Sequence, residues 1–209
     1  MEFDLGRYKL LGLLVLVDLA FIFLHILHVY TPLLPETLYS LSRDRGYAEF
    51  FQYTKELWIA VLFLVAGIRQ RRLLYLVISF LFAYFLVDDS FEFHEQVGAL
   101  LADTLHLQPL LGLRTIDMGE LLVSALFGGL FIAALGIAYA ISGPVTRQVA
   151  RNLVLMLVFI ALFGVFLDMV EIVTENRSLS EILKIFEEGG EMLVMSVIAW
   201  FAYRLDSRS

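Results

Sequence analysis

Six long apolar runs separated by short polar stretches organise the chain, at about 10–30, 50–68, 73–87, 115–141, 152–171 and 186–203. Runs of about 20 residues match helices that cross roughly 30 Å of hydrocarbon, where every backbone group needs an internal partner. None alternates polar and apolar residues as a half-buried strand does. The pattern predicts an all-α integral membrane protein with six transmembrane helices in a single domain, 1–209. The helices pair as three αα-hairpins at about 10–68, 73–141 and 152–203, with outer loops at 31–49, 96–114 and 172–185. The first run is too long for a cleaved leader, contains Asp18, His25 and His28, and lacks a small-x-small cleavage site, so it is expected to be retained. The loops at 31–49 and 96–114 carry apolar residues at helical spacing and suit lids at the interface. Ser178 and Glu181 match a capping box for the last helix.

Lys and Arg orient the spans. Arg7, Lys9, Arg69, Arg71, Arg72, Arg147, Arg151, Arg204 and Arg208 fall on one side, which the positive-inside rule makes cytoplasmic together with both termini. Composition agrees with the membrane reading: 60% of residues are hydrophobic, only 18% are charged, and the mean hydropathy is +0.81. With Lys+Arg 15 against Asp+Glu 22, the chain lacks the basic balance that nucleic-acid binding wants, and without cysteine it has no disulfide scaffold. The net charge of -7 is unusual for so apolar a chain. Apart from Glu2, Asp4, Asp18 and Asp206, every acidic residue falls in the outer loops or at the outer ends of the helices.

Those acids recur in a pattern. Each even-numbered run enters from outside with a glutamate followed by apolar residues: Glu56, Glu120 and Glu191. The fourth and sixth runs share acid-x-Gly-Glu, as Asp117-x-Gly119-Glu120 and Glu188-x-Gly190-Glu191. The odd-numbered runs leave with polar pairs spaced three apart: His25 and His28, Asp89 and Glu92, Asp168 and Glu171. This self-similarity predicts parallel hairpin repeats about a pseudo-threefold axis along the membrane normal.

A rise of about 1.5 Å per residue places Asp89, Asp168 and Glu188 roughly 24–26 Å from the inner arginines, at the rim of the hydrocarbon. Ionisable groups at that depth are expected to face the bundle interior. So many carboxylates in one layer cannot all stay ionised without protons, bases or cations. Acids with histidine and no thiolate suit one or two divalent metal ions, with Mn, Fe or Zn favoured and Ca or Mg also compatible. The expected ligands are His25, His28, Asp89, Glu92, Asp168, Glu171, Glu188 and Glu191. Glu56, Glu120 and Glu191 are the candidate general bases. His94 points away from Asp88 if the third helix is regular, and ranks below the other histidines. Gly119, Gly128, Gly129, Gly189 and Gly190 read as packing or flexibility positions rather than ligand loops.

Leu86-Val87-Asp88-Asp89-Ser90 followed by His94-Glu95, with Lys55-Glu56-Leu57 before it and Asp117-x-Gly119-Glu120 after it, resembles a segment of bacterial multi-pass membrane proteins of uncharacterised activity. The resemblance implies a bacterial inner-membrane location and no particular reaction. The expected function is a metal-dependent enzyme, a hydrolase or di-metal oxidase acting on a lipid or small amphiphile from the periplasmic or extracellular side. Two other classes use the same residues: a cation or proton transporter, and a non-catalytic metal sensor or assembly factor. Lipid is the expected partner; oligomeric state is not legible.

Overall fold

A computed structural model describes residues 5–110, 113–174 and 176–206, with the side chains of 5–7, 168, 172, 177, 178 and 206 outside the description. The elements are α1 (Leu5–Tyr30), a 3-10 turn at Thr37–Tyr39, α2 (Tyr47–Gln70), α3 (Leu73–Phe91), α4 (Phe93–Thr104), α5 (Thr115–Ala140) and α6 (Pro144–Ala161). A π-helical segment at Leu162–Leu167 continues α6 into α7 (Asp168–Ile172), and α8 spans Arg177–Asp206. No strand forms among the described residues. All six predicted apolar runs are helical.

Five helices are long and apolar enough to cross a membrane: Tyr8–Tyr30, Tyr47–Gln70, Leu73–Phe91, Thr115–Ala140 and the continuous Pro144–Glu171. The sixth run lies in α8, where Glu187, Glu188, Glu191, Arg204 and Asp206 interrupt the apolar sequence. The exterior is apolar, with Leu16 and Ile132 64% and 73% exposed, while Asp18, Lys55, Glu56, Asp117 and Ser196 are fully buried within a largely hydrophobic core. An apolar exterior with its ionisable groups hidden inside suits hydrocarbon as solvent.

The chain forms two compact units, Ile59–Asn152 and the combination of Met1–Trp58 with Leu153–Ser209. The predicted hairpin at 73–141 falls inside the first of these, while the predicted hairpin at 10–68 is divided at Trp58. In the unit that holds both termini, α1 lies antiparallel to α8. Tyr8 stacks on Trp200 with ring centroids 5.6 Å apart, while Ile22 approaches Gly189 further along. The π segment packs on α8 where Gly190 admits Phe163 and Gly164 admits the Glu191 carboxylate. The N-terminus of α8 differs from the predicted Ser178–Glu181 box. The helix begins at Arg177, and the side chain of Asn176 accepts the Leu179 amide at 3.2 Å, taking the capping position.

In the unit 59–152, α2 packs on α3 through Phe63 and Tyr75, and the Ser79 hydroxyl donates to the Ala60 carbonyl at 2.8 Å. Helix α3 stops at Glu92, whose φ of 53° and ψ of 42° are left-handed. That conformation costs a residue with a Cβ about 1–2 kcal/mol. Helix α4 then sets off in a new direction and crosses α5 through Gly98 and Gly119. A Cβ on Gly98 would meet the Glu120 amide at 2.6 Å, and one on Gly119 would strike the Gly98 carbonyl. Of the glycines singled out in the sequence, Gly119, Gly189 and Gly190 are thus packing positions, whereas Gly128 and Gly129 face open space.

Replacing Gly119 with alanine forces the α4–α5 backbones apart and should cost about 1–3 kcal/mol as overpacking. Gly128, with open space where its Cβ would lie, is the control. Thermal unfolding in detergent should show a lower Tm for Gly119→Ala and an unchanged or higher one for Gly128→Ala. Equal losses in both would contradict this packing.

Candidate functional site

The most buried polar group in the described chain joins three helices of the terminal unit. Asp18 lies near the middle of the 23-residue span Tyr8–Tyr30 and is fully buried. Lys55, from α2, is equally buried and donates to Asp18 Oδ1 at 3.0 Å. Its ammonium also donates to the Met192 carbonyl at 2.8 Å and to Ser196 Oγ at 3.4 Å, both on α8. Ser196 in turn donates its hydroxyl to Asp18 Oδ2 at 2.5 Å. All three ammonium donors are therefore engaged. The Phe51 ring lies 4.8 Å from Lys55 Nζ and adds a cation–π contact. Glu56, fully buried, and Glu191 act electrostatically on the same lysine.

This arrangement follows from local sequence. Helical spacing puts Ala48, Phe51, Gln52 and Lys55 on one face of α2, and Met192 and Ser196 one turn apart on α8. Asp18 was visible in the sequence as an isolated acid inside an apolar run. Lys55 was visible only within the Lys55-Glu56-Leu57 segment, and nothing local identifies its partner. Ser196 carried no signal.

His25 and His28 hold the loop that follows α1. The buried His25 accepts the Leu41 amide on Nδ1 at 3.1 Å, and His28 Nδ1 donates to the Leu34 carbonyl at 2.7 Å. His28 therefore carries a hydrogen on Nδ1, whereas His25, which accepts there, is neutral with its hydrogen on Nε2. Glu171 accepts the Ser180 hydroxyl and lies 3.7 Å from Lys184 Nζ, an ion pair between α7 and α8. The side chain of Asp168 is outside the described residues. Glu188 and Glu191 lie on α8, Asp89 on α3, and Glu92 at the α3–α4 break. Among the described residues, no group of three or more His, Asp or Glu is arranged to hold a metal ion.

The left-handed Glu92 creates a second polar group in the unit 59–152. It turns α4 so that His94 comes back onto Asp88. Oδ1 accepts the His94 amide at 2.8 Å, and Oδ2 pairs with Nδ1 at 3.0 Å. The expectation that His94 points away from Asp88 assumed a regular helix through Glu92, and no glycine or proline marks the break. Glu120 and Glu95 act on His94 electrostatically, and the rings of Tyr84 on α3, Phe93 on α4, and Phe127 and Phe131 on α5 pack together in the same unit. Asp117, at the third position of α5, reaches back to the Arg114 amide at 2.7 Å and to its guanidinium at 2.6 Å. It is a helix-start carboxylate. The Asp88 hydrogen bond pushes His94 above the usual histidine value, burial opposes it, and the charges of Asp88, Glu95 and Glu120 add to the rise.

A family described as a domain of unknown function (DUF8692) matches residues 10–206. The chain belongs to that family. The match takes in all six apolar runs and both polar groups, so the DUF8692 domain and the membrane fold coincide. No curated protein and no solved structure matches this DUF8692 chain.

Breaking the buried pair of the DUF8692 chain should destabilise it strongly, since a lone buried charge costs about 3–5 kcal/mol. Asp18→Leu and Lys55→Met should each lower the Tm in detergent more than the double variant Asp18→Leu/Lys55→Met. Additive losses would show that the two groups do not interact. For His94 the sign follows from its raised value. Its stabilisation is complete below the unfolded histidine value of about 6.5 and is lost as pH rises through the folded one. Histidine-selective NMR titration should find the His94 midpoint falling in Asp88→Asn; an unmoved midpoint would overturn the pairing.

Proposed function

We propose that this DUF8692 protein transports, or couples to, protons or small cations through the buried polar group of α1, α2 and α8. The observation that carries the reading is the 3.0 Å Asp18–Lys55 pair, fully buried near the middle of an apolar span. Ionisable groups at such a depth are costly and characteristically line ion or proton paths. A structural ion pair alone does not call for the additional buried Glu56 or for Glu191 acting on the same lysine. The π segment supports the same reading, because π turns concentrate at functional sites and this one seats Glu191 against Gly164.

In this reading α8 is the sixth span, and its charged residues serve the interior of the bundle. The termini are cytoplasmic, the membrane is a bacterial cytoplasmic membrane, and the three hairpins are repeats whose Gly-Glu steps, Gly119-Glu120 and Gly190-Glu191, both sit at close helix crossings.

A metal-dependent enzyme working on a lipid or small amphiphile is the second reading. It is favoured by Asp88, which orients His94 through Nδ1 and leaves Nε2 for a metal or proton, close enough to Glu120 for the two to interact. One preparation separates the two readings. Purified protein in sealed vesicles should carry a pH- or cation-gradient-driven flux that Asp18→Asn abolishes and Glu120→Gln leaves in place. A stoichiometric metal in elemental analysis, lost in Glu120→Gln, with lipid turnover in detergent that needs no gradient, would replace transport by the enzyme.

A further inference from the structure

We infer that ordered water joins His25 to Gln52 inside the terminal unit, and that His25 is the proton-exchange group for the Asp18–Lys55 site at the loop end of α1. This rests on the transport reading above and makes the proton its substrate. Two buried polar atoms carry the inference. Among the described residues, His25 Nε2 and Gln52 Oε1 have no hydrogen-bond partner, and their residues are only 1% and 8% exposed. One is a donor in the tautomer that the Leu41 amide imposes, and the other is an acceptor. Buried groups of this kind are normally satisfied by internal water, which needs two to four polar partners.

Their positions form a series. Lys55 is level with Asp18, because the two side chains meet. Gln52 lies three residues toward the loop end of α2, about 4.5 Å along the axis. His25 lies seven residues toward the loop end of α1, about 10 Å along. The remaining offset along the helix axes, about 6 Å, is of the size that two hydrogen-bonded links of about 2.8 Å through one water would span. Phe21, Ile22, Phe51 and Met192, with Leu41 and Ala48, form an apolar cluster along this stretch. That collar has no ligands for a dehydrated cation and leaves a hydrogen-bonded file as the passage. The groups acting on His25 from the surrounding elements are His28 on α1 and Glu181 and Lys184 on α8.

The tautomer also sets how a proton enters. With the Leu41 amide on Nδ1, the ring donates to the file but takes nothing from the loop side. Uptake requires the Leu41 amide to withdraw. A proton then binds Nδ1, and the imidazolium releases its Nε2 proton to the water file, which hands a proton on past the Gln52 oxygen to the Asp18 carboxylate and leaves the ring neutral with its hydrogen on Nδ1. Nothing is oxidised or reduced. The loop at 31–49 is therefore the latch on the route.

The chain has only four histidines, so ¹⁵N-histidine solid-state NMR of the full-length protein in bilayers reads the site directly. A neutral Nε2–H tautomer at His25 with a water cross-peak is the expected result, and Gln52→Leu should remove that cross-peak while the His94 signals stay in place. An Nδ1–H tautomer, or no water contact, overturns the inference. In proton-loaded vesicles Gln52→Leu should slow flux about tenfold or more, as expected for a lost hydrogen-bonded step, and Asp18→Asn should abolish it. If Asp18→Asn stops flux and Gln52→Leu does not slow it, the water route is wrong and the transport reading stands. If Asp18→Asn leaves flux unchanged, the transport reading itself falls, whatever the NMR shows.

Discussion

A charge placed in the middle of an apolar helix has to be answered from inside the protein, because lipid offers neither a counter-ion nor a hydrogen bond. Asp18 sets that constraint here. Its two oxygens are satisfied by Lys55 and Ser196, and Lys55 in turn uses a helix carbonyl at Met192. Three helices are thereby held in one register: sliding any of them by a residue would turn a donor or acceptor into hydrocarbon. The pair is better understood as a specification of which helices meet, and at what height, than as a source of net stability, since desolvation offsets much of the attraction.

Around this constraint the helices depart from regularity where their acidic ends begin. In one unit, α3 ends at a left-handed glutamate, and the reversal brings His94 to Asp88. In the other, the run from Pro144 passes through a π turn before Asp168. Each irregular stretch faces a helix that approaches through glycine, α4 meeting α5 at Gly98 and Gly119, and the π segment meeting α8 at Gly190. A helix that must present carboxylates inward while its backbone stays satisfied has few other options. It changes direction, or it adds a residue to a turn, and the partner makes room by omitting a side chain.

Much of this architecture was legible along the chain. Apolar runs of the right length located the five helices long and apolar enough to cross a membrane, because hydrocarbon thickness dictates that length locally, and the sixth run falls within α8. Gly119, Gly189 and Gly190 were legible as packing points, but the same context marked Gly128 and Gly129, which face open space, and did not mark Gly98 or Gly164. The expected metal ligands fare differently. The Nδ1 atoms of His25 and His28 are taken by backbone of the 31–49 loop, and Glu171 pairs with Lys184 and Ser180. Depth along a helix shows that such residues share a layer, while their partners depend on loops and neighbouring helices that periodicity does not encode. Asp88–His94 was missed for a narrower reason: the break at Glu92 has no glycine or proline to announce it, and a regular helix sends the two side chains apart.

The sequence alone therefore determined the class of fold, the solvent and the location of the ionisable residues, all of which follow from the free energy of transferring local segments into lipid. Only the tertiary structure decided that Asp18 belongs with Lys55 and Ser196, that His25 spends Nδ1 on Leu41, and that His94 turns back to Asp88. Two of those three pairings join residues far apart in sequence, and the third needs a single residue in a left-handed conformation. Their energies depend on which groups can be brought together once the helices are packed, and no local pattern carries that information.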